Sequence, residues 1–309
     1  MAGNANLMTT RFTISDGGVT APRGFRAAGV EAGIKSPRRD LALLASEAPA
    51  VIAGVFTTNR VQAAPVLLCK ARLAEGAPAR AIVINSGCAN ACTGERGLRD
   101  AERMAVLTAG QLQAPVSSVY VCSTGTIGIP LPMDRVEAGI RQAAAALSAQ
   151  GGAAAAEAIM TTDTRPKQGS TSLEIDGCSI TLGGMAKGSG MIHPAMATLL
   201  VFLTTDAAVG RADLQCVLDR AVGLSFNRLS VDGDRSTNDT ALFMANGAAG
   251  NAPLRRGRRG WRRFAAAAEA LCAELARQIA RDGEGATKLV VVRVRGAASR
   301  RAAEQVARA

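Results

Sequence analysis

A mixed α/β fold is what this sequence predicts, on three grounds. Short runs rich in Val, Ile and Leu, bounded by Gly, Asn or Asp, recur along the chain and read as strands. Ala-rich stretches with helical spacing of apolar residues alternate with them. The composition, 48% hydrophobic and 20% charged over 309 residues, suits one or two globular domains with a large buried core.

Strands are expected at 51–56, 65–68, 81–85, 117–122, 179–182, 199–204 and 288–294, with a further strand from Ala241. Helices are expected at 98–110, 134–149, 212–222 and 264–281. Asp134 follows Pro130 and Pro132 and is the expected N-cap of its helix. Phe264, Leu271, Leu275 and Ile279 fall on one face, which predicts an ordinary amphipathic helix. The Ala/Gly-rich stretch 149–158 is expected at a helix end or in a loop. No tandem repeat or heptad pattern is present.

Several function classes are excluded early. No apolar stretch approaches the ~20 residues that span a bilayer, and the N-terminus lacks the basic start and apolar run of a secretory signal. The seven cysteines (69, 88, 92, 122, 178, 216 and 272) form no C-x-x-C pair, which fits a reduced, cytoplasmic protein. With His193 as the single histidine, multi-histidine zinc sites and H-E-x-x-H motifs cannot be built. The net charge of +11 is concentrated late: residues 251–309 hold 14 basic and 5 acidic residues. Six arginines between Arg255 and Arg263 could suggest a nucleic-acid patch. Aromatic residues for base stacking are scarce at 3%, and the chain uses Arg over Lys nearly everywhere, so the stretch reads as a solvated loop.

Three segments combine glycine with hydroxyl residues beyond the needs of a plain core. Ser123-Thr124-Gly125-Thr126-Ile127-Gly128 follows an expected strand, where a glycine lets backbone N–H groups point at an anion. No G-K-[ST] follows, so it is not a nucleotide phosphate loop. Residues 183–200 place four glycines and a proline around Lys187, then enter an apolar run at Thr198. Residues 225–240 contain Asp232-Gly233-Asp234, which lacks calcium-loop spacing and reads as a turn with Asx caps.

Thr198 has two readings: a β-branched filler opening a buried strand, or a nucleophile released by self-cleavage. A threonine hydroxyl needs a base, and side-chain bases are few here. A threonine at a new N-terminus carries its own, an α-amine with a pKa of ~7.7–8. Attack of the Thr198 hydroxyl on the Ala197 carbonyl would yield pieces of 197 and 112 residues.

Taken in order, these segments resemble the bifunctional ornithine acetyltransferase (glutamate N-acetyltransferase) family of arginine biosynthesis. The resemblance runs through Gly17–Gly29, Gly54–Asn59, Asn85–Gly94, Ser123–Gly125, Met160–Thr164, Met185–Thr198, Asp232–Thr240 and Asp282–Lys288. It implies a four-layer α/β/β/α sandwich, an N-terminal-nucleophile-like enzyme cut between Ala197 and Thr198 into an alpha chain (1–197) and a beta chain (198–309). It implies Thr198 as nucleophile, Thr124 and Gly125 as the oxyanion hole, and Thr161, Lys187, Thr198 and Glu284 as substrate contacts. Thr162 and Thr164 stand close enough to compete with Thr161 for its role. The implied reaction is ping-pong transfer of acetyl from N-acetylornithine to glutamate. Acetyl-CoA is a donor for some relatives. The resemblance implies no metal, cofactor, nucleic acid or membrane, and it implies a heterotetramer of two alpha and two beta chains.

The family pattern also predicts a segment beyond Ala309 with further Asn and Ser/Thr substrate contacts, so the C-terminal lobe is expected to be incomplete. Cys88 stands where relatives often carry Asn. Two rival readings follow: a related self-cleaved aminopeptidase or amidase, and an inactive remnant.

Overall fold

The computed structural model describes residues 12–35, 37–193 and 199–308. Its strands are β1 (Phe25–Val30), β2 (Leu41–Phe56), β3 (Ala79–Cys88), β4 (Val119–Thr126), β5 (Lys167–Ile175), β6 (Cys178–Lys187), β7 (Leu200–Thr205) and β8 (Thr240–Ala245). Its helices are α1 (Ala64–Glu75), α2 (Gly94–Leu112), α3 (Met133–Ala145), α4 (Gly152–Ala158), α5 (Arg211–Leu224), α6 (Trp261–Arg281) and α7 (Arg300–Arg308).

Two packed sheets share β2. Its first half pairs with β1 and β3, and β3 pairs in parallel with β4. The register shifts between Ala45 and Ala50, where Glu47, Ala48 and Pro49 face solvent. The second half then pairs with β8, and the ladder continues through β7, β6 and β5. A break of this kind bends a strand so that its two halves serve different sheets.

Period-two alternation within β2 shows the layering. Ala42 and Leu44 join Ile82, Ile84, Met185, Phe202, Leu242 and Met244 in the core between the sheets. Leu41 and Leu43 face the other way, against Met104 of α2 and Val136 and Ile140 of α3. On the far side, Val201, Leu203 and Phe243 pack on Leu218 of α5 and Leu271 and Leu275 of α6. The order is helices, sheet, sheet, helices, the predicted four layers. Strands covered on both faces read as continuous apolar runs, which is why 81–85 and 199–204 were visible in the sequence.

Some elements differ from expectation. Residues 65–68 begin helix α1 rather than a strand; Pro65 suits a first helical turn, and Gly76 closes the helix at φ 78°. A four-residue apolar run carries no period of its own. Helix α3 starts at Met133 with Pro132 as N-cap, so Asp134 lies in the first turn and makes no capping bond, and the helix ends at Ala145, short of 149. Residues 152–158 form α4, whose Ala155, Ala156 and Ala158 enter the middle core. The expected strand 288–294 has no ladder among the described residues, and Val290, Val291 and Val292 are 77%, 65% and 61% exposed. A β-prone run forms a strand only where a neighbour offers backbone partners. The arginines at 255–259 are exposed, with Arg259 3.1 Å from Asp176.

Candidate active site

Thr124 and Gly125 lie inside β4, which runs through Thr126, rather than in a turn after it. Gly125 has φ +131°, and a Cβ there would stand 2.3 Å from the Gly87 carbonyl carbon. Only glycine tolerates both, so β3 and β4 close up here and their register breaks at Cys88. Thr124 is 5% exposed. Its neighbour Ser123 donates its hydroxyl to Asn85 Oδ1 at 2.6 Å. The Ser123 carbonyl accepts from Asn238 Nδ2 at 2.9 Å, and the Ala89 carbonyl accepts from the same amide at 2.7 Å.

Asn238 thus ties the end of β4 to the start of β8, where Asp239 follows. Asp239 Oδ1 accepts the Leu199 N–H at 2.9 Å, fixing the residue that follows the expected nucleophile Thr198. Among the described residues, the buried Asp239 Oδ2 has no hydrogen-bond partner. Burial pushes its carboxyl up to about 7, with the Leu199 N–H and the Lys187 charge pulling the other way. Ala197 and Thr198 themselves lie outside the described residues. Upstream of them, Asp232 Oδ1 accepts the Ile192 N–H at 2.8 Å, so the Asx turn expected at 232–234 also anchors the approach to the cleavage segment.

The Asp239 shift has a stability consequence. An unfolded aspartate loses its proton near 3.9, whereas this one keeps it to about 7. The stability from this group is complete below pH 4 and is lost as pH rises through 7. Asp239→Asn, which keeps an acceptor for Leu199 N–H, is expected to flatten that decline. Urea denaturation at pH 5 and pH 8 measures it, and an unchanged pH slope would contradict the assignment.

The second cluster joins three distant segments. Asp163, buried at 2% exposure, accepts from Lys167 Nζ at 2.5 Å and the Gly188 N–H at 2.8 Å through Oδ1, and from the Thr161 N–H at 3.0 Å through Oδ2. Lys187 Nζ lies 3.9 Å from Asp163 and donates to Thr161 Oγ1 at 2.7 Å. Burial lowers the Lys187 ammonium, against the pull of Asp163. Asp163 itself is opposed by burial but held below the usual carboxylate range by Lys187 and Lys167.

This geometry separates the three threonines. Thr161 faces Lys187. Thr162 pairs with Ser189 Oγ at 2.6 Å, and Thr164 bonds Asp282 through both its hydroxyl and its N–H. Lys167 Nζ also reaches Asp282 at 2.6 Å. Two residues on, the Glu284 N–H donates to the Ser189 carbonyl at 2.7 Å. A Cβ on Gly190 would come within 2.5 Å of the Glu284 carboxyl carbon, so glycine makes room for that acid. Glu284 lies close enough to Lys187 for its charge to raise that ammonium.

Of the residues expected from sequence, Thr161, Lys187 and Glu284 therefore come together. Thr124 and Gly125 connect to the cleavage strand through Asn238 and Asp239, and the Asp239 and Lys187 charges reach each other. Asp163, Lys167, Asp282, Asn238 and Asp239 were not singled out as site residues. Asp163, Asn238, Asp239 and Asp282 fall in Met160–Thr164, Asp232–Thr240 and Asp282–Lys288, where read alone each looks like turn chemistry, and Lys167 falls in none of these stretches.

Four layers of this order, with polar side chains gathered at the ends of β4 and β6 and ahead of β8, form an Ntn-hydrolase-like α/β sandwich. An L-aminopeptidase D-Ala-esterase/amidase from Ochrobactrum anthropi, a variant of the Ntn-hydrolase fold, superposes with TM-score 0.54 over 88% of this chain and 89% of its own. At 13% identity, that likeness is one of fold alone. The ArgJ family model matches residues 26–309, and the chain belongs to that family. The arginine biosynthesis bifunctional protein ArgJ of Symbiobacterium thermophilum is 58% identical over 296 residues, 95% of this chain and 73% of that relative. The crystal structure of ornithine acetyltransferase from Mycobacterium tuberculosis, complexed with ornithine, is 45% identical with TM-score 0.55, covering 60% of this chain and 98% of its own.

Proposed function

We propose that the chain is an acetyltransferase of arginine biosynthesis, a self-cleaved enzyme moving acetyl from N-acetylornithine to glutamate. The observation that carries this reading is the cluster of Lys187, Thr161 and Glu284, an ammonium bonded to one hydroxyl and a carboxylate near enough for its charge to act on that ammonium. Lys187 suits the α-carboxylate of an amino acid, and Glu284 suits the side-chain ammonium of ornithine. Ornithine bound to the 45% identical Mycobacterium tuberculosis relative supports that substrate class.

In this reading Thr198 Oγ attacks the Ala197 carbonyl. The C–N bond breaks, the Thr198 nitrogen takes the hydroxyl proton and becomes a free amine, and an ester is left on Oγ, which water opens to give the Ala197 carboxylate and restore the Thr198 hydroxyl. That amine then takes the Thr198 hydroxyl proton as Oγ attacks the acetyl carbonyl. Thr124 Oγ–H and the Gly125 N–H donate to the oxyanion. Collapse expels the ornithine amine, which receives the proton, and leaves an acetyl ester on Thr198. The glutamate amine attacks that ester in the second half-reaction. Acetyl-CoA as an additional donor would enter at the first. Support for the cut comes from the solved M. tuberculosis chain, which is covered to 98% by only 60% of this one, about the size of the 197-residue piece.

The two pieces, 1–197 and 198–309, stay joined because β7 pairs with β6 and β8 pairs with β2, both ladders crossing the cut. They are expected to co-purify in native buffer and separate only when denatured; separation in native buffer would contradict the two-ladder picture. A heterotetramer of two alpha and two beta chains in the cytoplasm completes the proposal. No described helix is long and apolar enough to cross a membrane.

The test is incubation with N-acetylornithine and glutamate. Acetylglutamate and ornithine in equal amounts support transfer, and free acetate in place of acetylglutamate would establish a hydrolase instead. Thr124→Val, which keeps the shape but removes the donor, is expected to lower kcat by roughly 10²–10³-fold. A kcat within a few-fold of wild type would remove Thr124 from the oxyanion hole.

A further inference from the structure

Beside the cluster just described stands a third lysine, Lys35, in the connection between β1 and β2. The connection is held firmly. Asp40, fully buried, accepts the Ala32 N–H at 2.6 Å and the Lys35 N–H at 2.8 Å. A Cβ on Gly87 would stand 3.1 Å from Lys35 Cβ, and Gly87 is the ladder partner of Gly125. From there the half-buried side chain reaches the loop that carries Thr161, and its ammonium donates to the Met160 carbonyl. Lys187 meets the next residue of the same loop, at Thr161 Oγ1. Two ammonium groups thus converge on residues 160–161.

The three lysines differ in how they are neutralised. Lys167 lies between two carboxylates, Asp163 and Asp282, at 2.5 and 2.6 Å. Lys187 shares Asp163 at 3.9 Å. Lys35 has no carboxylate at ion-pair distance among the described residues, and its acceptor there is a neutral carbonyl. An ammonium offers three donors, so this one has hydrogens left over. Burial brings it down to about 8, Asp40 and Asp163 working against the Lys187 and Arg38 charges. A half-buried cation without its own counter-ion, next to a carboxylate-binding lysine, is a place for a second carboxylate.

Both substrates of the proposed reaction carry an α-carboxylate, and only the acceptor carries another at the end of its side chain. We infer that Lys35 selects the acceptor, binding the side-chain carboxylate of glutamate while Lys187 holds the α-carboxylate. The same pocket then serves two opposite side chains, with Glu284 meeting the ornithine ammonium and Lys35 the glutamate carboxylate. This rests on the transferase reading above.

The test separates the half-reactions on the full chain. Intact-mass measurement after N-acetylornithine reports acetylation of the enzyme; its discharge is then titrated with glutamate or with glutamine, whose side chain is isosteric and neutral. A charged hydrogen bond of this kind is worth roughly 10–100-fold in binding. In Lys35→Met, the KM for glutamate is expected to rise by that factor and the preference for glutamate over glutamine to disappear. The rate of enzyme acetylation should stay within a few-fold of wild type, and Lys35→Arg should keep much of the preference. Equal losses in both half-reactions would mean that Lys35 binds the shared α-carboxylate or merely props the 160–161 loop, and an unchanged glutamate preference would remove it from the site. A wild-type protein that never takes up acetyl would instead overturn the transferase reading itself.

Discussion

Thr198→Ala is expected to leave one polypeptide of 31.6 kDa and to abolish acetyl transfer. In the proposed mechanism the substitution removes the hydroxyl that attacks the Ala197 carbonyl, so neither the cut nor the terminal amine should be made. Loss of both nucleophile and base should lower turnover by roughly 10⁴-fold or more. The fold should survive, because β7 begins at Leu200 and its ladders to β6 and β8 do not involve residue 198. A denaturing gel and the acetylglutamate assay report the two losses separately. Cleavage that persists in this variant would exclude the Thr198 hydroxyl as the attacking group.

The largest stability effect is expected at Lys167. Its ammonium is 1% exposed and lies between Asp163 and Asp282, both nearly inaccessible. Replacing it with methionine keeps the length of the side chain but leaves two buried carboxylates without their main cation. Breaking a buried ion pair from one side costs on the order of 3–5 kcal/mol. The measurement belongs in the uncleaved Thr198→Ala background, where a single chain can refold, and is read as a shift in urea midpoint at constant slope. The pH dependence supplies a second signature. Burial opposes the charge on Asp282, but the bonds from Lys167 and Thr164 hold its carboxyl below the ordinary range, and Asp163 is depressed likewise. Stability from both is present above pH 4 and lost as pH falls through the lowered values, opposite in sign to Asp239. Lys167→Met should weaken that acid dependence. A variant as stable as its parent at pH 7 would show that the network contributes nothing.

The sequence made the layers legible and left their junctions obscure. Residues 81–85 and 199–204 are apolar because both faces of their strands are covered, and that pattern needs no context. Residues 65–68 and 288–294 are apolar for other reasons, one as the first turn of an amphipathic helix and the other as an exposed run that pairs with no strand among the described residues. Local sequence cannot tell these cases apart, since a strand is defined by its partner. The site divides in the same way. Thr124, Gly125, Lys187 and Glu284 stood out through glycine-rich surroundings and family resemblance. The bond from Lys187 to Thr161 depends on Asp163 folding the 160–164 loop over the end of β6, which only the three-dimensional arrangement reveals. In sequence Asp239 is one more Asx turn residue; only the fold sets its side chain against the Leu199 N–H.

Mass spectrometry of freshly purified protein, before and after N-acetylornithine, tests the central claim most directly. The expected result is two polypeptides of 197 and 112 residues, the second beginning at Thr198 and gaining one acetyl group that glutamate removes. A single uncut chain, or an acetyl group carried on the first piece, would contradict the account.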